Sequence, residues 1–178
     1  MTQAHTAALK AMALCRALSD TELGALAAVA EMQQIGAGRD LFREGDVADG
    51  LYLLVAGEID VIKRAGGGEH ALARLGPGAV LGEISLLTSE TRSATGRAVV
   101  DTRVLRLPVE PFRALLDKGS SAAFKLVVAI AEVLARRLAT MNDKVLELAA
   151  KADAAGKSPP LKEKDLAELH RTMQVWSF

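Results

Sequence analysis

The sequence predicts an α+β chain: a sandwich or barrel of short antiparallel strands, preceded by helices and followed by one short and one long helix. Three observations carry this reading. Residues 6–33 are rich in Ala and Leu, the composition of helices. From about 32 to 107 short apolar pieces are punctuated by glycine, at Gly36, Gly38, Gly45, Gly50, Gly57, Gly66 to Gly68, Gly76, Gly78 and Gly82, the texture of strands joined by tight turns. After Gly119 apolar residues return every three or four positions over about thirty residues, one face of a long helix.

Each element has its own signal. Ser19-Asp20-Thr21-Glu22 has the spacing of a capping box and starts a helix whose apolar face is Leu23, Leu26, Ala27 and Ala30. Glu58-Ile59-Asp60-Val61 alternates with period two, as a half-buried strand does. The triplet Gly66 to Gly68, followed by Glu69-His70, reads as an exposed hairpin tip. Strand texture ends at Leu107-Pro108. Glu110 to Asp117 suits a short helix, with Pro111 tolerated in its first turn.

The long helix runs from about Ser121 to Lys151, with Val127, Ile130, Leu134, Leu138, Met141, Val145 and Leu148 as its stripe. At about 1.5 Å per residue it outreaches a small barrel. The near-heptad spacing predicts a parallel pair with a second copy of the chain, a homodimer, in preference to packing on its own domain alone. Arg137 interrupts the stripe. The stretch Ala154 to Pro160 has linker composition. Its Gly156-Lys157-Ser158 imitates the end of a phosphate loop, but position 151, where that loop needs glycine, is Lys151. Beyond it Leu166, Leu169, Met173 and Trp176 lie at helical spacing. The organisation expected is a helical segment (1–31), a central domain (32–150), a linker (151–160) and an amphipathic tail (161–178). Within the central domain the strands occupy 32–107, the short helix 110–117 and the long helix 121–150.

Composition excludes several functions. The chain has 178 residues, half of them hydrophobic, with 22 Lys+Arg against 22 Asp+Glu. No net charge draws it to nucleic acid or to an acidic membrane. The single cysteine, Cys15, forms no internal disulfide and reads as a small buried hydrophobe in a reducing compartment. No apolar run approaches the about 20 residues of a membrane span, and the start lacks the order of a signal peptide. These features predict a cytoplasmic protein. His5, His70 and His170 lie in three separate regions, so neither a metal cluster nor a catalytic residue is expected and the chain is not read as an enzyme.

The most informative stretch is Leu81 to Ala98. It opens with Gly82-Glu83, continues through Ile84, Ser85, Leu86 and Leu87, and ends in Arg92-Ser93-Ala94-Thr95. A glycine permits close backbone approach, and free N–H groups at a short helix start attract an anion. A guanidinium grips two phosphate oxygens, and a carboxylate accepts from a sugar hydroxyl. Together they form a set for holding a ribose phosphate. Taken alone, Arg92 reads as an exposed surface arginine.

The stretch resembles the phosphate-binding cassette of the cyclic nucleotide-binding domain family, with Gly82, Glu83, Ile84, Ser85, Leu86, Arg92, Ser93, Ala94 and Thr95 on the cassette positions. Leu41 to Asp46 resembles the family's strand-and-turn entry and Asp49 to Ile59 its central hairpin. The resemblance covers about residues 18–150. Thr91 stands where many members have proline. Gly96 stands where a β-branched residue is usual; both changes are expected to loosen the loop, and neither removes a polar contact.

The resemblance implies an antiparallel β-barrel or jelly roll (double-stranded β-helix) and a ligand, cAMP ahead of cGMP. Glu83 is implied for the ribose hydroxyl, and Arg92 with the amides near Ile84 and Ser85 for the phosphate. Ser93 is implied as a hydroxyl contact. In the catabolite-activator branch, a helix segment like Ala135-Arg136-Arg137-Leu138 precedes the residues at the base, which here are Met141 and Asn142. That branch adds a DNA-binding domain after the helix, and residues 151–178 are too few for one. The expectation is a receptor that repositions its C-terminal helices and signals to an unidentified effector protein, the tail 161–178 offering one docking segment. The alternatives are a degenerate, ligand-free dimerisation module and a transcription-regulator subunit without its own DNA-binding domain.

Overall fold

The computed structural model describes residues 2–83 and 91–154. The chain divides into two units, residues 1–131 and 132–178, with the boundary inside the long helix.

The first unit opens with α1 (Thr2–Lys10), a 3-10 turn (Ala13–Cys15) and α2 (Asp20–Val29). The capping box forms: the Ser19 N–H donates to Glu22 Oε2 at 2.8 Å and the Glu22 N–H to Ser19 Oγ at 3.3 Å. Two otherwise orphaned donors are thereby satisfied at the helix start. Leu23, Leu26, Ala27 and Ala30 are all buried. Cys15 is buried too, and burial pushes its thiol up to about 11, so it stays protonated and inert.

The described strands are β1 (Glu31–Ile35), β2 (Asp40–Phe42), β3 (Gly50–Ala56), β4 (Ile59–Ala65), β5 (Gly68–Leu75), β6 (Val80–Leu81), β7 (Thr95–Ala98) and β8 (Thr102–Pro108). They form two antiparallel four-stranded sheets, ordered β1-β8-β3-β6 and β2-β7-β4-β5. This is the jelly-roll order, built as a sandwich. The β4–β5 hairpin closes through Gly66 and Gly67, with Ala65 opposite Gly68.

Strand β3 shows why the layers stack. Leu51, Tyr52, Leu53 and Leu54 are all buried, a continuous apolar run that suits a strand covered on both faces. Tyr52 and Leu54 join Ile59, Leu81 and Val104 in the core. Leu51 and Leu53 belong to the opposite face, since side chains alternate along a strand. Helices α2 and α3 (Val109–Asp117) pack on β8, the neighbour of β3. Phe112 of α3 is fully covered.

Helix α4 (Ser121–Ala154) extends beyond residue 150. Its sequence stripe is not evenly covered. Ile130 is buried and Val127 half-buried, whereas Leu138, Met141 and Val145 are exposed. Phe124 and Val128, which the stripe omits, are exposed as well. The remaining linker and the tail lie outside the described residues.

Candidate functional site

Two chain segments meet at one end of the sandwich. Gly82 and Glu83 follow β6, and Arg92 and Ser93 precede β7. Ile84 and Ser85 lie outside the described residues, as do Leu86 and Leu87. The turn Arg43 to Asp46, after β2, fixes the second segment. The Gly45 N–H donates to Arg92 O at 2.9 Å and the Arg92 N–H to Asp46 O at 2.8 Å. The Glu44 N–H donates to Thr95 Oγ1 at 3.0 Å.

Arg92 is not the surface arginine that a reading of the residue alone suggests: its side chain is 1% exposed. The guanidinium lies 4.5 Å from the centroid of Phe42 and 5.2 Å from that of Tyr52, two rings themselves 5.7 Å apart. Phe42 belongs to one sheet and Tyr52 to the other, so the cation sits where the layers meet. Aromatic faces attract a cation, by about 2 kcal/mol when it is desolvated.

Among the described residues, protein oxygens serve only Nη2 of the guanidinium. Nη2 donates to Asp49 Oδ1 at 2.6 Å and to Gly50 O at 2.7 Å. Nε and Nη1 are buried and find no acceptor among the described residues. Burying a donor unmet costs about 1–3 kcal/mol, more for a charged group, so this arginine is primed for oxygen acceptors.

Gly82 makes the seat possible. A Cβ at this position would overlap Arg92 Nη1 and lie 3.1 Å from Gly50 O. Its φ of 77° also belongs to the left-handed region that glycine enters freely. The sequence reading gave Gly82 a purely backbone role; the structure adds room for the guanidinium. Glu83 is buried and engaged. Ser93 is exposed. Gly96 is tight, not loose: a Cβ there would meet the Phe42 ring at 3.1 Å.

Asp49 is the counter-ion that sequence reasoning missed. Its Oδ2 accepts from the Tyr52 hydroxyl at 2.7 Å and lies 3.6 Å from Arg106 Nε. Burial pushes the carboxyl up, but hydrogen bonds from Tyr52 and Arg92 and the charges of Arg106 and Arg92 outweigh it and hold the group below its ordinary value. Burial, then the bond to Asp49, raises the Tyr52 phenol. The signal was present: a carboxylate heading a doubly buried strand that contains the chain's one tyrosine.

Met141 and Asn142 are exposed residues of α4 in the second unit. His5 lies on α1 and His70 on β5, and His170 falls outside the described residues. No group of His, Cys, Asp and Glu able to hold a metal occurs among the described residues.

Known proteins resemble this chain in sequence and in fold. The family model described as cyclic nucleotide-binding domain matches residues 32–118. The cyclic AMP receptor protein of Thermus thermophilus is 41% identical over 102 residues, which is 57% of this chain and 45% of that protein. This chain thus spans less than half of that relative. The structure of a cyclic nucleotide-binding-like protein from Brucella abortus is 35% identical, with a TM-score of 0.55, over 64% of this chain and 98% of that one. A cyclic nucleotide-binding domain from Methylobacillus flagellatus superposes with a TM-score of 0.71 at 25% identity, over 82% of this chain and 83% of that one.

Proposed function

The chain belongs to the cyclic nucleotide-binding domain family, and from that premise we propose that it is a receptor for a cyclic nucleotide, cAMP ahead of cGMP. The observation that carries this is Arg92: a buried guanidinium with two nitrogens unmatched among the described residues, seated against a glycine that leaves it room. A cyclic phosphate supplies oxygen acceptors and one negative charge. Glu83 takes the ribose hydroxyl, and Ser93 adds a hydroxyl to the phosphate end. The amides near Ile84 and Ser85 complete the cradle. Met141 and Asn142 are assigned to the base on the resemblance alone. The name of the Thermus relative favours cAMP.

Output in this reading goes through the helices to a protein partner, with segment 161–178 as a docking piece. No described helix is long and apolar enough to cross a membrane. A second copy is the proposed partner of α4. Phe124, Val128, Ala131, Ala135, Leu138, Asn142 and Val145 follow one another at alternating spacings of four and three, and all are exposed. That is the a/d pattern of a two-stranded coiled coil. Arg137 falls outside this seam.

Calorimetric titration with cAMP, cGMP and a cyclic dinucleotide tests the reading. Saturable binding of cAMP tighter than of the other two is expected. Absence of binding by all three returns the chain to the ligand-free alternative.

A further inference from the structure

We infer that Lys63 is a positioning residue of the nucleotide site, acting through the backbone that carries Arg92; the inference rests on the cyclic-nucleotide reading above. Lys63 lies near the end of β4, and its ammonium donates to the Ser93 carbonyl at 2.6 Å. The same nitrogen lies 2.6 Å from Glu44 Oε1. Glu44 is itself anchored twice more: Oε2 accepts from the Arg64 N–H at 3.0 Å, and its own N–H reaches Thr95 Oγ1 at 3.0 Å. The hydrogen bond from Lys63 and then that from the Arg64 N–H hold its carboxyl below the ordinary value. Around this pair, Arg92 is bound front and back by Asp46 O and the Gly45 N–H.

The result is a closed frame. The 43–46 turn grips Arg92 and Thr95, β4 grips the turn through Glu44, and Lys63 takes a carbonyl that lies between them, that of Ser93. Strand β7 begins at Thr95, which pairs with Ile62, so the clamp continues the sheet past its last ladder partner. Among the described residues, Lys63 is the side chain that holds this corner at the Ser93 carbonyl. A guanidinium displaced by a fraction of an ångström loses hydrogen-bond geometry to a phosphate. Lys63 is 43% exposed, so as a mere surface ion pair it would contribute little to stability. Its value lies in fixing where Arg92 points.

The test is a double-mutant cycle on the full chain. The parent, Lys63→Met, Lys63→Arg, Arg92→Lys and the Lys63→Met/Arg92→Lys double variant are titrated with cAMP and with cGMP, and each is melted. Lys63→Met is expected to weaken both nucleotides by the same factor, about tenfold, with Tm within about 2 °C of the parent. Lys63→Arg recovers most of the loss. The double variant is scarcely weaker than Arg92→Lys, because Lys63 acts through Arg92. Glu44→Gln, which keeps both backbone anchors, gives a smaller loss in the same direction. Fully additive losses, unchanged affinity in Lys63→Met, or a loss confined to one base overturns the inference, the last by making Lys63 a base reader. Failure of the parent itself to bind either nucleotide overturns the receptor reading and the inference with it, an outcome distinct from a parent that binds and a Lys63→Met that binds equally.

Discussion

Arg92 Nη2 and Asp49 Oδ1 lie 2.6 Å apart, and the two ends of this pair are unequally exposed, 1% for the arginine and 45% for the aspartate. The carboxylate reaches the buried cation from the rim. Asp49 in turn holds Tyr52, whose ring, with that of Phe42, faces the guanidinium. One charged residue thus ties the cassette to both sheets.

Removing that carboxylate leaves a buried charge without its counter-ion. Asp49→Asn is expected to destabilise the ligand-free chain by about 1–2 kcal/mol, discounted for the exposure of Asp49, a fall in Tm of roughly 2–8 °C. Saturating cAMP, which brings its own negative charge, should raise Tm more in Asp49→Asn than in the parent. Differential scanning fluorimetry with and without nucleotide checks both.

Gly82→Ala introduces the Cβ that overlaps Arg92 Nη1 at a backbone angle unfavourable to alanine. The guanidinium has to leave its seat. A loss of at least about tenfold in cAMP affinity is expected, with a modest fall in Tm. Titration and melting of the one variant decide it. Parent-like affinity would mean that the inward seat is irrelevant to binding.

Glu22 sets the acid limb of stability. Its carboxylate accepts from Lys125 Nζ at 2.9 Å, from the Ser19 N–H at 2.8 Å and from Ser121 Oγ at 2.9 Å, joining α2 to the first turn of α4. The bonds from Lys125, then Ser19, then Ser121, lower its pKa from 4.5 to about 2. A depressed carboxyl contributes stability that is complete above the unfolded pKa and is lost as pH falls toward the folded one. The contribution of Glu22 is therefore present above about pH 4.5 and fades toward about pH 2. Glu22→Gln should flatten the decline of Tm across that window. An unchanged slope would show that the contacts do not persist in solution.

The exposed seam of α4 makes a prediction about assembly. Leu138→Glu and Val145→Glu each place a charge at an inner heptad position, where paired helices bury their side chains. Sedimentation velocity should give a dimer for the parent and a monomer for the double variant, and a parent-like affinity of that variant for cyclic nucleotide in direct titration excludes misfolding as the cause. A parent that sediments as a monomer at all concentrations would remove the second copy from the account.

Local features of the fold were legible because local physics decides them. Ser19 and Glu22 carry a capping box within four residues, and the glycine triplet Gly66 to Gly68 marks the exposed tip of the β4–β5 hairpin. Gly82, Glu83 and Arg92 stand out by type and order. What escaped depends on contacts between distant segments. Whether Arg92 points outward or inward is decided by Phe42, Asp49, Gly50 and Tyr52, forty to fifty positions earlier in the chain, and no periodicity encodes that. Gly96 was expected to loosen its loop; a Phe42 ring packed over it makes it a tight spot. The α4 stripe does not tell Ile130, buried in the first unit, from Leu138, exposed in the second, because apolar spacing alone does not encode what covers it.

The affinity of Arg92→Lys for cAMP beside that of the parent is the most direct test of Arg92 as the phosphate anchor. Lysine keeps the charge but loses the planar array of donors that reaches Asp49, Gly50 and the phosphate together. The parent should bind one nucleotide per chain and Arg92→Lys should lose about tenfold to a hundredfold while remaining folded. Equal affinity of the two proteins would contradict the claim that the buried guanidinium is the phosphate anchor.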